Sequence, residues 1–209
     1  MRITRRTVVS GLAAMIGMAG AAYAADKPDW LPAELSKPLS DITIGFANVN
    51  AGGNAYSATY TDTFIETAKE LGVKAVVLDA QADAAKQADH IRDLIAQQVD
   101  VLIVWPVNGK AVVPAVKQAS EANIPVVITN SKIDDSGKKY TKTFSGPNDY
   151  AEAQMAAELM IKALGGKGNV VIIGGTPGYT VSQLRDQGFR DAIAKYPDIK
   201  VLDAQPVNW

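Results

Sequence analysis

Short apolar runs alternate with segments of helical periodicity from residue 41 onward. Four runs predict strands, because β-branched and other apolar residues dominate them: ITIGFAN (42–48), VKAVVLD (73–79), VLIVW (101–105) and IPVVITN (124–130). Between these runs apolar residues recur three and four positions apart, which predicts amphipathic helices with three buried stripes: Tyr60, Phe64, Ala68 and Leu71; Ala84, Ala88, Ile91, Ile95 and Val99; Val112, Val116 and Ala119. Gly72 is expected to end the first helix, and Asn108 to cap the third.

This alternation predicts an α/β fold built on parallel sheets. The strand starts are roughly 25–30 residues apart, which is the size of a βαβ unit. Strands that are apolar on both faces indicate a doubly wound sheet with helices on both sides. In such a sheet the ligand crevice lies at the carboxyl ends of the strands.

The pattern breaks once and then resumes. Residues 131–147 are polar and rich in turn formers, with one short strand-like piece at 140–144, and they predict a crossover to a second lobe. A helix from about 148 to 164, a strand at 169–175, a helix from about 180 to 196 and a strand at 199–205 follow. We therefore expect an N-terminal α/β lobe over 41–130 and a partial C-terminal α/β lobe over 148–209.

The first 24 residues have the composition of an export signal. Arg2, Arg5 and Arg6 precede an uncharged apolar stretch that ends in Ala22-Tyr23-Ala24, which is a small-x-small cleavage pattern. The adjacent Arg5 and Arg6 favour a twin-arginine signal, although an ordinary export signal and a retained membrane anchor are alternatives. We expect export to the periplasm with cleavage near Ala24 or Ala25, followed by an N-terminal extension over 25–40 and no membrane span in the mature chain.

Composition excludes several classes of chemistry. The chain has no cysteine and one histidine, so thiolate sites and a second histidine ligand or base are excluded. Without residues 1–24 it has 18 basic and 22 acidic residues with no basic cluster, which argues against a nucleic-acid partner. The turn GGTPG (174–178) resembles a phosphate cradle or a hydrolase elbow with Thr176 as nucleophile. Pro177 removes an N–H donor, however, and the only histidine, His90, precedes Thr176. We expect no catalytic residues, no metal and no cofactor.

Amides, hydroxyls and aromatic rings follow the predicted strand ends. Amide groups both donate and accept hydrogen bonds, which suits hydroxyl groups, and aromatic faces suit the C–H faces of sugar rings. Each asparagine taken alone could instead serve a turn or a cap, and a tryptophan could serve the core. The candidate ligand-binding residues are Asn48, Asn54, Tyr56, Trp105, Asn130, Ser131 and Gln183.

Residues 70–131 and 185–209 together resemble the ribose-binding-protein-like periplasmic solute receptors, which have the type 1 periplasmic binding fold. The motifs that carry the resemblance are LDAQ (78–81), the strand-three end VLIVWP, the run IPVVITN and RDQGF (185–189). The resemblance implies two similar lobes joined by a three-segment hinge, with the first hinge crossover at 131–147. It also implies closure over a small sugar, delivery to an ABC permease, a monomeric receptor and no enzymatic activity.

The resemblance also distributes roles over the candidate site. It implies that Asn48 is the polar residue after strand one, with Asn54 and Tyr56 in the following turn. An Asp-Arg pair common in these receptors is replaced by Asn130-Ser131, so the identity of the sugar does not carry over. A specificity arginine of the second lobe corresponds to Gln183, and Arg185 corresponds to an arginine with a mainly structural role.

Two further interpretations stay open at this stage. An exported ligand-binding module that serves a chemoreceptor or sensor kinase would have the same features, and a secreted enzyme is a more distant alternative. An N-terminal helix-turn-helix is lacking, so a transcription factor is excluded. Receptors of this kind continue well past the strand at 199–205, so we expect a truncated product or a fragment whose second lobe is incomplete.

Overall fold

A five-stranded parallel sheet organises the first half of the computed structural model, which describes residues 37–207. The strands are β1 (Thr43–Asn48), β2 (Lys74–Asp79), β3 (Val101–Val104), β4 (Val126–Thr129) and β5 (Thr143–Ser145), in the order β2-β1-β3-β4-β5. Helices α1 (Ala55–Leu71), α2 (Ala84–Ala96) and α3 (Val113–Glu121) connect the first four strands. The predicted doubly wound α/β architecture is confirmed.

Local sequence signals explain most helix boundaries. Asn54 caps α1 in a capping box, since its side chain accepts a hydrogen bond from the Ser57 backbone while the Ser57 hydroxyl accepts one from the Asn54 backbone. Gly72 ends α1 at φ 71°, as expected for a left-handed C-cap.

The prediction that Asn108 caps the third helix needs correction. Its side chain caps a separate turn through Lys110 and Ala111, and α3 begins later, at Val113.

The core of this sheet has two layers. The layer beneath α2 and α3 has the larger cluster of buried residues, and Leu102, Val104 and Val126 are fully buried there. The predicted stripe of Val112, Val116 and Ala119 is also fully buried in this layer. On the opposite face Phe46 packs edge-on against Phe64 of α1, with the ring centroids 5.1 Å apart.

The crossover segment contributes to the first sheet. A 3-10 helix (Asp135–Tyr140) precedes β5, and β5 pairs with β4 in parallel. The first sheet therefore extends to residue 145, beyond the boundary expected at 130. The backbone N–H of Lys142 donates to the Val126 carbonyl just before β5 begins, so pairing with β4 holds this strand in place although it has only three residues, two of them polar.

A smaller unit follows the crossover. Helix α4 (Asp149–Leu164), strand β6 (Gly168–Gly174), helix α5 (Thr180–Ile193) and strand β7 (Ile199–Pro206) form a two-stranded parallel sheet with both helices packed together on it. Helix α5 ends three residues before the expected Tyr196. The face of this sheet away from the helices is exposed within residues 37–207, with Val171, Ile173 and Leu202 at 62%, 75% and 64%.

We call the part from β1 to β5 the N-terminal lobe and the part from α4 to β7 the C-terminal lobe. The predicted export signal (1–24) and most of the extension (25–40) lie outside the described residues. No helix within residues 37–207 is both long enough and apolar enough to cross a membrane.

Candidate functional site

A cavity of about 350 Å³ lies at the carboxyl ends of the strands of the N-terminal lobe. This volume is at the small end of the range for ligand pockets, about 300–1,000 Å³. Its position is the one that parallel sheets give to ligands. Residues from both lobes and from the connection between them line it: Val49, Asn50, Asn54, Tyr56, Ser57, Trp105, Pro106, Asn130, Ser131, Pro147, Tyr179, Val181 and Arg185.

Two aromatic rings form one wall of this cavity. The rings of Tyr56 and Trp105 are 5.8 Å apart at 84°, an edge-on arrangement. The hydroxyl of Tyr56 accepts a hydrogen bond from the side-chain nitrogen of Asn130 at 2.5 Å. Tyr56 is 60% exposed, so its ring can face a ligand, and its contact with Asn130 fixes the ring direction.

Trp105 serves the core and the cavity at once. It is 7% exposed and packs edge-on against Tyr60 of α1 at 5.1 Å. The Tyr60 hydroxyl is in turn hydrogen bonded to Thr129 at the end of β4. Core packing and contact with a ligand, the two roles considered for Trp105, are therefore compatible, because one side of the indole is packed and another lines the cavity.

Asn48 does not line the cavity, although the sequence suggested it. Its side chain is fully buried and donates to the Thr61 hydroxyl at 2.8 Å. Its side-chain oxygen accepts from the backbone N–H of Asn50 at 3.1 Å. Both ends of the amide are thus used to join β1, the following turn and α1. Asn48 holds the turn in place, and Asn50 takes the lining position.

The polar turn residues contribute in different ways. The side-chain oxygen of Asn54 caps α1, so the amide nitrogen is the group that it can offer to the cavity. Asn130 has φ 59°, a left-handed conformation that asparagine tolerates better than most residues. Its neighbour Ser131 is buried to 4% exposure and lines the cavity.

Gln183 lies away from the cavity. It is exposed and borders a separate groove at the ends of β6 and β7, beside Gly174 and Gly175. Arg185 occurs two positions later on α5 and lines the cavity instead. Residues two positions apart point to nearly opposite sides of a helix, so only one of the two can face the cavity.

An ion-pair cluster orients Arg185. Its Nε donates to Asp149 Oδ1 at 3.0 Å, and its Nη2 donates to Glu152 Oε2 at 3.1 Å. Asp149 is 1% exposed, and this burial raises the pKa of its carboxyl, an effect that the positive charge of Arg185 opposes. Arg185 therefore has the structural role that the resemblance implied, and it also lines the cavity.

The candidate residues from the sequence did not include Tyr179 or Gln87, which contribute to the site in different ways. Tyr179 precedes α5 and lines the cavity, and burial raises the pKa of its hydroxyl. It follows the turn after β6 just as Tyr56 follows the turn after β1, and this parallel could have identified it. Gln87 is fully buried and does not line the cavity. It donates to the carbonyls of Ala47 and Trp105 and accepts from the Val107 backbone at 2.8 Å.

The lining supports binding rather than reaction chemistry. It consists of amides, hydroxyls, aromatic rings, apolar groups and one guanidinium, without a carboxylate or a histidine. Among residues 37–207 no cluster of three histidine, cysteine or acidic residues could hold a metal. His90 is partly buried on α2 and is not among the lining residues.

Comparison with curated proteins gives relatives that are described as binding proteins. A xylitol-binding protein of Mycolicibacterium smegmatis is 35% identical over 145 residues, which cover 68% of this chain and 40% of the relative. The galactofuranose-binding protein YtfQ of Escherichia coli is 30% identical over 165 residues, which cover 78% of this chain and 52% of the relative. The chain thus spans about half the length of these relatives. Their descriptions agree with the expectation that it is not an enzyme.

Solved structures are similar in fold. A galactofuranose binding protein superposes with a TM-score of 0.74 at 30% identity, over 79% of this chain and 56% of the other. The fructose-binding periplasmic domain of a hybrid two component system superposes with a TM-score of 0.72 at 28% identity, over 79% and 54%. A family model described as the periplasmic binding protein domain matches residues 44–209. With this match over most of its length, the chain belongs to the periplasmic binding protein domain family, in its type 1 fold.

Proposed function

We propose that this protein is the substrate-binding component of an ABC transporter, which captures a monosaccharide or related polyol and delivers it to a permease in the inner membrane. The observation that carries the proposal is the cavity between the lobes, lined by amides, hydroxyls and aromatic rings without a carboxylate. The descriptions of the relatives, which include xylitol, galactofuranose and ribose binding, support the same ligand class.

The ligand is bound without a chemical step. Asn54, Asn130 and Ser131 form hydrogen bonds with hydroxyl groups, and the Tyr56 and Trp105 rings contact the apolar side of the ligand. Tyr179 and Arg185 extend from the C-terminal lobe to the same cavity. A ligand that touches both lobes stabilises the closed arrangement, and the permease recognises that closed form.

The site of action is the periplasm, and the receptor acts as a monomer. Export removes the leader near Ala24 or Ala25 and uses the twin-arginine route, as Arg5 and Arg6 suggest. Mass spectrometry of the secreted protein tests this step, with an N-terminus at Ala25 or Asp26 as the expected result. An intact Met1 on the periplasmic protein contradicts it.

A second candidate function is an exported ligand-binding module that serves a chemoreceptor or sensor kinase. The fructose-binding domain of a hybrid two component system, with its TM-score of 0.72, favours this alternative. Neighbouring genes discriminate between the two roles. Permease and ATPase genes support transport, and a kinase gene without them supports sensing.

Ligand binding is tested by a thermal-shift screen of monosaccharides and polyols, with ribose, galactose, xylitol and myo-inositol as the first four. A compound bound only by the native state raises the apparent melting temperature by mass action. Intrinsic tryptophan emission gives a second readout, since the indole of Trp105 lines the cavity. A purine nucleotide serves as a ligand of another class. If it shifts the melt and no sugar or polyol does, the proposal is wrong.

A further inference from the structure

Two hydrogen bonds join the lobes beside the cavity without lining it. The side-chain nitrogen of Asn108 donates to the carbonyl of Gly178 at 2.8 Å. The backbone N–H of Gly109 donates to the hydroxyl of Thr180 at 2.9 Å. Asn108 and Gly109 belong to the loop between β3 and α3, whereas Gly178 and Thr180 lie at the start of α5. None of the four is among the lining residues of the cavity.

The residues on both sides of the hydrogen bond between Gly109 and Thr180 have features that favour it. Thr180 is the first residue of α5, and the N-cap residue Tyr179 makes no side-chain capping bond. Hydroxyls at this end of a helix commonly satisfy its own free N–H groups. Here the Thr180 hydroxyl accepts from the other lobe instead, where Gly109 is buried.

Gly109 permits the close approach. A Cβ at this position would lie 2.5 Å from the carbonyl oxygen of Lys132 and 2.9 Å from the Thr180 hydroxyl. The Gly109 carbonyl also accepts from the backbone of Asp134 at 3.0 Å. The loop, the crossover segment and the start of α5 therefore meet at one residue that has no side chain.

We infer that Asn108, Gly109, Gly178 and Thr180 form an interlobe latch, which holds the lobes closed before any ligand binds. The inference rests on the proposed function in one respect, namely that the cleft opens and closes. The latch also positions the start of α5, where the N-cap residue Tyr179 and Val181 of the first turn both line the cavity. Thr180 is thus a positioning residue that acts on affinity through the lobe equilibrium.

The consequence is a measurable change in the closed fraction. A single hydrogen bond of this kind changes the ratio of closed to open forms by roughly two- to tenfold. Apparent affinity falls in proportion to the fraction that is competent to bind. Loss of the Thr180 hydroxyl therefore opens the ligand-free protein, although Thr180 touches no ligand.

Distances between spin labels test the latch without any ligand. The chain has no cysteine, so Gln118→Cys on α3 and Glu158→Cys on α4 place one label on each lobe at exposed positions. Pulsed electron paramagnetic resonance then compares the doubly labelled protein with the same protein carrying Thr180→Val. We expect the valine variant to shift population from the short to the long distance.

Matched variants separate the latch from a general loss of structure. Thr180→Ser keeps the hydroxyl and should keep the original distribution, while Thr67→Val, on the exposed side of α1, should leave it unchanged. Asn108→Asp keeps the oxygen that caps Lys110 and Ala111 but removes the donor to Gly178, so it should act like Thr180→Val.

The latch is overturned if Thr180→Val and Asn108→Asp both leave the distance distribution unchanged. It is also overturned if Thr180→Ser shifts the distribution as much as Thr180→Val does. If Thr180→Val fails to fold by circular dichroism, the Asn108→Asp result decides. Because no sugar is present, failure of the latch leaves the thermal-shift result standing. Equally, a failed sugar screen leaves the distance measurement interpretable.

Discussion

Removal of Arg185 should destabilise the protein much more than removal of its charged partner. Asp149 is 1% exposed, and its Oδ2 has no hydrogen-bond partner within residues 37–207. The Arg185 side chain is 46% exposed and also contacts Glu152. Arg185→Ala therefore leaves a buried carboxylate without its cation, whereas Asp149→Asn leaves a guanidinium that water and Glu152 can still satisfy.

The burial of Asp149 sets the class of interaction from which the size of this difference can be estimated. Breaking a buried ion pair by removing one partner costs about 3–5 kcal/mol, and protonation of the stranded carboxyl limits the loss. We expect Arg185→Ala to lower the free energy of unfolding by about 2–3 kcal/mol at pH 7. Asp149→Asn keeps the shape and an acceptor for Arg185, so its cost should stay within about 1 kcal/mol.

The pH dependence follows from the direction of the pKa shift. Burial raises the folded-state pKa of Asp149 above its unfolded value, so the ionised carboxyl lowers stability at high pH and this penalty is relieved as pH falls. In Arg185→Ala the positive charge that lowers the pKa of Asp149 is absent, so this pKa rises further above its unfolded value. The deficit of Arg185→Ala relative to wild type should therefore shrink between pH 7 and pH 5.

Urea unfolding followed by circular dichroism at pH 7, 6 and 5 measures these differences. Arg190→Ala is a matched control, because Arg190 pairs with Asp186 in an exposed contact on the same helix, worth little to stability. The reasoning is refuted if Arg185→Ala stays within about 0.5 kcal/mol of wild type at pH 7. A deficit independent of pH, or an equally costly Asp149→Asn, would refute it too.

Three further predictions concern the cavity and the leader. Tyr56→Ala should weaken sugar binding by about 1–3 kcal/mol in titration calorimetry. The melting temperature should change little, because the ring is largely exposed. Unchanged affinity with a large loss of stability would assign the ring to the core. Gln87→Leu should lower the melting temperature strongly, because the Trp105 carbonyl and the Val107 N–H lose their partner and the Ala47 carbonyl keeps only its bond from the Trp105 backbone. A melt like that of wild type would contradict this. Replacement of Arg5 and Arg6 by lysine should stop the protein from reaching the periplasm in cell fractionation, and normal export would argue for the general secretory route.

Much of the fold could be predicted because each strand carries its own signal. The runs around β1, β2, β3 and β4 are apolar enough to indicate a sheet buried on both sides, and the observed bounds differ by a few residues. β5 could not be predicted with its correct place in the sheet, since it has three residues and owes its conformation to pairing with β4. Pairing of this kind is a property of the folded chain.

Five of the seven candidate site residues line the cavity, and the two exceptions have a common cause. Sequence position tells which residues follow a strand but gives no direction for a side chain. Asn48 ends β1 and points inward to Thr61, while Gln183 lies on the side of α5 opposite to Arg185. A shift of one or two positions changes the face on which a side chain lies.

The residues that hold the cavity in shape are harder to find than the residues that line it. Gln87 connects the ends of β1 and β3 through carbonyls that are 40 and 18 residues away, and the latch joins Gly109 to Thr180 across 71 residues. A lining residue can be guessed from its own chemistry, since rings and amides suit sugars. A glutamine in an amphipathic helix, or a threonine at the start of a helix, can be explained by the local sequence alone. The roles of Gln87 and Thr180 depend instead on partners that only the folded chain brings near. Substitutions at these two positions should therefore change affinity without removing any ligand contact.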